Sequence, residues 1–227
     1  MEEIKNAITY TVQYETGRPA ELGRLPSAKR AFDFIVAGFG LLGSLPLWGV
    51  VAVAIKWEDG GPVFFRDERV GQSGRVFSVL KFRTMVPDAD RLFGPKQAGE
   101  NDPRITRVGN LLRSTALDEL PQLWNIFKGD MSFVGPRALA PKEIEVNGNG
   151  AAVPIELIPR YRERHQVKPG LTGLAQIYEP RDILRQQKFR YDLIYIRNQR
   201  LWLDLKLIAL SFWITFRGKW EYRGKKF

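Results

Sequence analysis

Between Asp33 and Lys56 the chain runs for 22 residues, 34–55, without a charge. As an α-helix this run measures about 33 Å, enough to cross the hydrocarbon core of a bilayer. Leu45-Pro46 lies near its middle. Proline removes a backbone donor and crowds the preceding turn, so a bend is expected there. Both flanks are basic: Arg24, Lys29 and Arg30 precede the run, and Lys56, Arg66, Arg69, Arg75, Lys81 and Arg83 follow it. A spanning helix usually keeps its positive flank on one side, and this run shows no such bias. Three arrangements are open: a helix that enters the bilayer, kinks at Pro46 and returns to the same face; a true span; and a buried core helix. The first reconciles length with charge and is the expectation adopted.

The remainder is long enough to matter. With 227 residues, one main domain with a sizeable core is expected. Apolar residues at 44 % against charged residues at 26 % are globular rather than disordered. A formal net charge of +10 attracts anions: nucleic acid, acidic lipid headgroups or phosphorylated substrates. There is no cysteine and one histidine, His165. Disulfides, thiolate zinc sites, a cysteine nucleophile and poly-histidine metal sites are therefore excluded. A cysteine-free chain is compatible with the cytoplasm. Residues 1–28 are polar and mixed in charge, without the apolar core of a signal peptide, and read as a loosely attached arm with a short strand at Thr9-Tyr-Thr-Val12.

Residues 62–85 read as a β-hairpin, with Val63-Phe-Phe65 going out, Gly71-Gln-Ser-Gly74 turning and Val76-Phe-Ser-Val-Leu80 returning. Alternation puts Lys81 and Arg83 on one face, where two cations suit a phosphate; spacing alone favours a solvated strand edge. Residues 86–106 are polar and rich in Pro, Gly and Asp, a loop whose Asn101-Asp-Pro-Arg104 turns into a helix over Val108-Gly-Asn-Leu-Leu112. Next come Asp118 and Glu119, with Arg113 one turn before them and a Gly-Pro-Arg137 loop after them. Thr115-x-x-Asp118 matches a helix capping box, and Pro121 alternatively suits the first turn of a later helix. Either would place both acids near a positive helix end. Adjacent residues do not face each other, so the pair would divide roles rather than act as an acid/base couple. Carboxylates beside arginines suit metal-assisted phosphoryl chemistry, and a capped helix with surface charges accounts for the motif as well.

Residues 141–160, with Asn147-Gly-Asn-Gly150, suggest a surface excursion, and residues 155–165 have helical spacing. Lys168-Pro-Gly-Leu-Thr-Gly173 reads as a tight turn whose amides can approach an anion, or as a plain loop. His165 beside Arg164 is a proton-shuttle candidate, though such a lone histidine is more often structural. A helix is expected over 182–199. Residues 201–216 are apolar but broken by Asp204 and Lys206, which fits an interfacial or buried helix better than a second span. Residues 217–227 hold five Lys or Arg with Trp220 and Tyr222, a composition that favours anionic headgroups, with nucleic acid as the alternative.

Taken in order, Lys29-Arg-x-x-Asp33, Gly61-Pro-Val-Phe-Phe65, Arg69-Val-Gly71, Lys81-Phe-Arg-Thr-Met85, Asn101-Asp-Pro-Arg-Ile-Thr106, Leu117-Asp-Glu-Leu-Pro-Gln-Leu-Trp-Asn125, Lys128-Gly-Asp-Met-Ser-x-Val-Gly-Pro-Arg137, Val167-Lys-Pro-Gly-Leu-Thr-Gly173, Tyr191-Asp192 and Leu201-Trp-Leu-Asp-Leu-Lys206 resemble the monotopic phosphoglycosyl transferases, the bacterial sugar transferase family. The resemblance covers about residues 27–216. It implies transfer of a sugar phosphate from a nucleotide sugar, typically a UDP-sugar, to a polyprenol phosphate such as undecaprenyl phosphate. UMP is released, and the route is a phospho-sugar on an aspartate with Mg²⁺. It makes Asp118 the nucleophile and Glu119 its catalytic and magnesium-binding partner. Arg113 and Arg137 become phosphate clamps, Lys81 and Arg83 part of the electrostatic cradle, and residues 169–176, with Pro169, Gly170, Thr172 and Gly173, the nucleotide pocket. Two departures stand out: the family's Ser-Pro kink reads Leu45-Pro46 here with Ser44 one residue early, and its Thr-Gly-Trp-Ala-Gln has Leu174. The multi-span domain of larger members is not in this chain, so a minimal catalytic form is expected.

The fold expected is α+β: a re-entrant membrane helix kinked at Pro46, a small β-hairpin, and a helical catalytic domain with an interfacial C-terminal helix. The parts run as an arm (1–28), the membrane helix (29–57), the catalytic domain (58–216) and a basic tail (217–227). Membrane lipid is an expected partner, at the cytoplasmic face of the inner membrane; nucleic acid is not. A basic peripheral-membrane or nucleic-acid-binding protein without chemistry is the rival class, and it gives no reason for two acids between two arginines. A magnesium-dependent lipid phosphotransferase using CDP-linked donors is a third, and it lacks its expected spans.

Overall fold

The computed structural model describes residues 27–89, 102–146, 152–179 and 183–217. The arm with its Thr9–Val12 strand, most of the 86–106 loop including Asn101, the Asn147–Gly150 stretch and the basic tail past Arg217 lie outside them. The uncharged run lies inside one helix, α1 (Ser27–Asp59), with Pro46 within it. Pro46 cannot donate to Leu42, and Ser44 Oγ donates instead to the neighbouring Leu41 carbonyl at 3.2 Å. α1 is long and apolar enough to cross a membrane, and only 11 % of its most apolar window is buried.

The hairpin is as expected: β1 (Phe64–Val70) and β2 (Val76–Phe82) pair antiparallel, Phe64 opposite Phe82 and Val70 opposite Val76. Ser73, with φ 56°, turns the chain. α2 (Arg107–Ser114) is capped by Thr106, whose side chain accepts from the Gly109 amide at 2.9 Å. The capping box at Thr115 does not form. Thr115 instead ends α2, its hydroxyl donating back to the Leu111 carbonyl at 2.8 Å. Ala116 then adopts φ 55°, a left-handed turn, and Leu117–Glu119 form a 3-10 turn. α3 (Gln122–Lys128) starts after Pro121, the later of the two starts considered. It ends at Gly129, whose φ of 97° a side chain would strain. Arg30 donates to the Ile126 and Phe127 carbonyls, 2.7 Å each, and so ties the end of α3 to α1.

Three features of the second half depart from the sequence reading. β3 (Ser132–Val134) pairs parallel with β6 (Gly170–Thr172), so the expected tight turn at 168–173 is largely a strand. A further antiparallel pair forms between β4 (Ile144–Val146) and β5 (Ala152–Pro154). The helical spacing of 155–165 resolves into a 3-10 turn and a one-turn helix α4 (Tyr161–Arg164). α5 (Leu174–Tyr178), α6 (Arg185–Arg197) and α7 (Leu201–Phe216) follow, the last two as expected. The architecture is α+β.

Apolar burial joins these parts. Ala37 of α1, Val79 of β2 and Leu123 and Ile126 of α3 form one cluster. Val51 and Ile55 of α1 meet Phe82 and Leu112 in another. A third packs Val134, Leu174, Ile177, Leu193, Tyr195, Leu207 and Ile214 between β3, α5, α6 and α7. Leu174, where the family often has Trp, is thus a core residue. Removing a fully buried side chain such as Ile126 would cost about 2–5 kcal/mol.

The first and last described helices meet through charge. Lys29 Nζ lies 2.6 Å from Asp204 Oδ2, and the two side chains are 3 % and 1 % exposed. Tyr195 donates to Asp204 Oδ1 at 2.8 Å and lies 3.0 Å from the Val134 carbonyl. Replacing Asp204 by Ala leaves an uncompensated buried ammonium, so stability should fall by about 3–5 kcal/mol. The double variant Lys29→Met, Asp204→Leu should recover most of it, both read by unfolding in detergent.

Candidate active site

The site is assembled by what holds β2 against α3. Asn125, 1 % exposed, accepts from the Leu80 amide at 3.0 Å and donates to the Ser78 carbonyl at 2.7 Å. This side-chain amide pairs with the free edge of β2 and sets the hairpin beside the turn that carries the two acids. Lys81, next on the strand, then reaches Glu119: Nζ to Oε1 is 3.0 Å. The second wall is a backbone crossing. Gly135 and Gly170 pass so closely that a Cβ on Gly170 would lie 2.0 Å from the Gly135 nitrogen. The Gly135 amide donates to the Thr172 carbonyl and the Gly170 amide to the Pro136 carbonyl, each at 2.9 Å. The Gly170 amide is therefore spent on the fold rather than aimed at an anion.

Between these walls lies an open groove lined by Arg69, Val79, Lys81, Glu119, Gln122, Met131, Arg137, Ala138, Gly170, Leu171 and Gln176. Four residues named from sequence, Lys81, Glu119, Arg137 and Gly170, meet there. Asp118 sits half-buried in the same 3-10 turn as Glu119, beside the groove rather than in its lining. Arg113, half-buried at the end of α2, is also outside the lining. Pro169 lies outside this lining, in a shallow crevice with Val70, Pro136, Arg137, Arg164, His165 and Val167. Thr172 is buried against the Ser211 hydroxyl, and Gly173 precedes α5.

Arg83 is drawn elsewhere. The strand ends at Phe82, and the Arg83 guanidinium, buried at 6 %, pairs with Asp59 through both its terminal nitrogens. It also donates to the carbonyls of Pro62 (2.6 Å) and Met85 (2.8 Å). It fastens the end of α1 to the hairpin. Arg69 and Gln176, by contrast, line the groove without having been singled out. Arg69 was visible only as part of the Arg69-Val-Gly71 motif, and Gln176 as the last residue of the 169–176 segment.

Burial would raise the pKa of Glu119, but Lys81, Arg137 and Arg69 outweigh it and hold the carboxyl below its usual range. Glu119 is therefore ionised, within a field of three cations. That field suits a diphosphate, whose charge it offsets where water is partly excluded. Among the described residues no three acids or histidines cluster as a self-sufficient metal site. Two carboxylates on one turn beside an open groove do fit Mg²⁺, which takes one or two from protein and the rest from water and substrate phosphates.

His165 is structural. Its Nδ1 donates to the Tyr161 carbonyl at 2.7 Å, which leaves Nε2, 3.3 Å from Arg164 Nη1, as an acceptor. Burial and the Arg164 charge push its pKa down to about 4. Its folded value lies below the unfolded 6.5, so between these values the unfolded chain binds more protons. The stability His165 contributes is complete above pH 6.5 and is lost as pH falls through 4. Up to about 3 kcal/mol should disappear across that window. In unfolding titrations, His165→Gln should flatten this part of the profile.

The bacterial sugar transferase model matches residues 25–218. The chain is 43 % identical over 188 residues to the undecaprenyl-phosphate glucose phosphotransferase of Komagataeibacter xylinus, covering 81 % of this chain and 35 % of the relative. It is 42 % identical over 200 residues to the UDP-glucose:undecaprenyl-phosphate glucose-1-phosphate transferase of Escherichia coli K12, 86 % of this chain and 41 % of the relative. Against the exopolysaccharide production protein ExoY of Rhizobium meliloti, identity is 36 % over 213 residues, 88 % of this chain and 89 % of the relative. The chain belongs to the bacterial sugar transferase family. It spans less than half the length of the Komagataeibacter xylinus and Escherichia coli relatives and most of the length of the ExoY protein.

Proposed function

We propose that this chain transfers a sugar 1-phosphate from a nucleotide sugar, in the first instance a UDP-sugar, to a polyprenol phosphate such as undecaprenyl phosphate, at the cytoplasmic face of the inner membrane. The observation that carries this reading is the groove in which Arg69, Lys81 and Arg137 surround Glu119 one residue from Asp118. The names of the relatives support the donor and the acceptor. Binding without chemistry leaves that grouping unexplained.

In this reaction a carboxylate oxygen of Asp118 attacks the sugar-bearing phosphorus, and the bond from that phosphorus to the bridging oxygen breaks. UMP departs with that oxygen, and the phospho-sugar stays on Asp118. An oxygen of the polyprenol phosphate then attacks the same phosphorus, forms the diphosphate and returns Asp118 to its carboxylate. The covalent step lets a soluble donor and a lipid acceptor use one site in turn. Lys81, Arg69 and Arg137 hold the donor phosphates and stabilise the charge that builds up on them, with Arg113 at the margin; each such contact is typically worth roughly 3–4 kcal/mol of barrier. Mg²⁺, held by Glu119 beside the nucleophile Asp118, would supply further charge neutralisation on the diphosphate. Asp118→Asn should cut UMP release from UDP-sugars by roughly 10³-fold or more. Near-normal turnover by this variant, or activity without divalent metal, would overturn the covalent scheme. Salt-sensitive DNA binding without UMP release would favour a basic binding protein instead.

The acceptor requires a membrane seat, and α1 and α7 provide one. α1 is pinned to one folded body at both ends, by Lys29–Asp204 and by Asp59–Arg83. A helix that carried one end across the bilayer could not keep both pins, which supports the re-entrant arrangement about Pro46. α7 exposes Trp202, Leu205, Phe212, Trp213 and Phe216, with Lys206 over the Trp202 ring and Arg217 over that of Trp213, a composition suited to the interface. Single cysteines at Ala31 and Trp57, introduced into this cysteine-free chain, should both resist an impermeant thiol reagent applied to intact cells. Labelling of one end from outside would show that α1 spans.

A further inference from the structure

Arg137 reaches the groove from a loop, and a loop side chain is placed by whatever holds its backbone. On one side the Gly170 amide holds the Pro136 carbonyl at 2.9 Å, and on the other the Val70 amide holds the Leu139 carbonyl at 2.8 Å. Between them the carbonyl of Arg137 itself accepts from Nη2 of Arg164 at 2.7 Å. Arg164 is 2 % exposed. Its Nε donates to Asp192 Oδ2 at 2.9 Å, its Nη1 meets Nε2 of His165 at 3.3 Å, and its plane lies over the Phe189 ring at 4.7 Å.

A buried ion pair is weak evidence for stability, since well-packed apolar residues of similar volume often do as well or better. Apolar residues cannot supply a donor aimed at a carbonyl. Asp192 fixes one edge of the guanidinium, His165 fixes another, and Phe189 fixes its plane. The remaining prong points at Arg137. Lysine would keep the charge, but it has no planar fork with which to reach a carboxylate and a carbonyl together.

We propose that Arg164, oriented by Asp192 and His165, is the positioning residue for Arg137: it fixes the backbone from which the Arg137 guanidinium meets the donor's phosphates. The proposal rests on the phosphoglycosyl transfer reading for what Arg137 touches, and on geometry alone for how Arg137 is held. Arg164→Lys in the full chain should speed amide exchange in residues 135–139 roughly tenfold while α6 and α7 keep their protection. For UMP release, kcat should fall on the order of 10- to 100-fold, with the KM for the UDP-sugar changed less than about threefold. In an Arg137→Ala background the same substitution should cost nothing further, because both act through one guanidinium. Additive losses, or loop exchange equal to wild type, would overturn the proposal. If R164K does not fold, His165→Phe removes one acceptor of the guanidinium and should move the same readouts in the same direction, by roughly threefold. A wild-type chain that releases no UMP would refute the functional reading, and the exchange measurement would still decide the placement of Arg137.

Discussion

The buried pair between Lys29 and Asp204 is the contact on which the arrangement depends. It joins α1, the first described helix, to α7, the last, and Tyr195 extends it to the strand β3 that leads into the Arg137 loop. A buried ammonium and carboxylate cost several kcal/mol each to desolvate and regain it only with close geometry and further hydrogen bonds. The pair therefore does more to select one packing than to deepen it. With either partner displaced, the other is left charged and dry, so α1 and α7 cannot slide or rotate independently. The groove is framed by elements attached to this joint: α3, tied to α1 through Arg30, and β3 with β6, packed on α7.

Within that frame the groove concentrates positive charge around Glu119. Three cations face one carboxylate, so the net field favours a diphosphate even with Glu119 ionised. The same field explains how Glu119 stays ionised without a helix cap. Ala116 at φ 55° breaks the chain between α2 and α3, and the acids sit on a 3-10 turn, where Lys81, Arg137 and Arg69 hold Glu119 ionised. The cap expected from Thr115 would have served the same end by a weaker, more exposed route.

Features with a local cause were legible in the sequence. The uncharged run, the period-two hairpin with its Gly-x-x-Gly turn, and α2, α6 and α7 follow from patterns within about twenty residues. What stayed hidden depends on distant partners. β3 and β6 are three residues each and too short to show alternation; they pair because Gly135 and Gly170 allow two backbones to touch. Lys81 and Arg83 look equivalent by alternation, but β2 ends between them, and Asp59 at the end of α1 takes the second. Arg69 enters the groove because β1 pairs with β2 in a register that sets it opposite Phe77, a fact of pairing that its own neighbours do not record.

The membrane seat and the groove are thereby one problem. A re-entrant α1 leaves both its ends at the same bilayer face, and each end carries an ion pair into the folded body: Lys29 toward α7, Asp59 toward the hairpin that presents Lys81. The depth at which the apolar residues of α1 settle then sets the height of the hairpin and of the α3 turn together, since Asn125 binds these two to each other. A lipid phosphate lies within a few ångströms of the headgroup plane, whereas a nucleotide sugar arrives from water. On the proposed reading, fixing the height of Glu119 and Lys81 against α1 would place one acid pair within reach of both, as a two-step transfer through a single carboxylate demands.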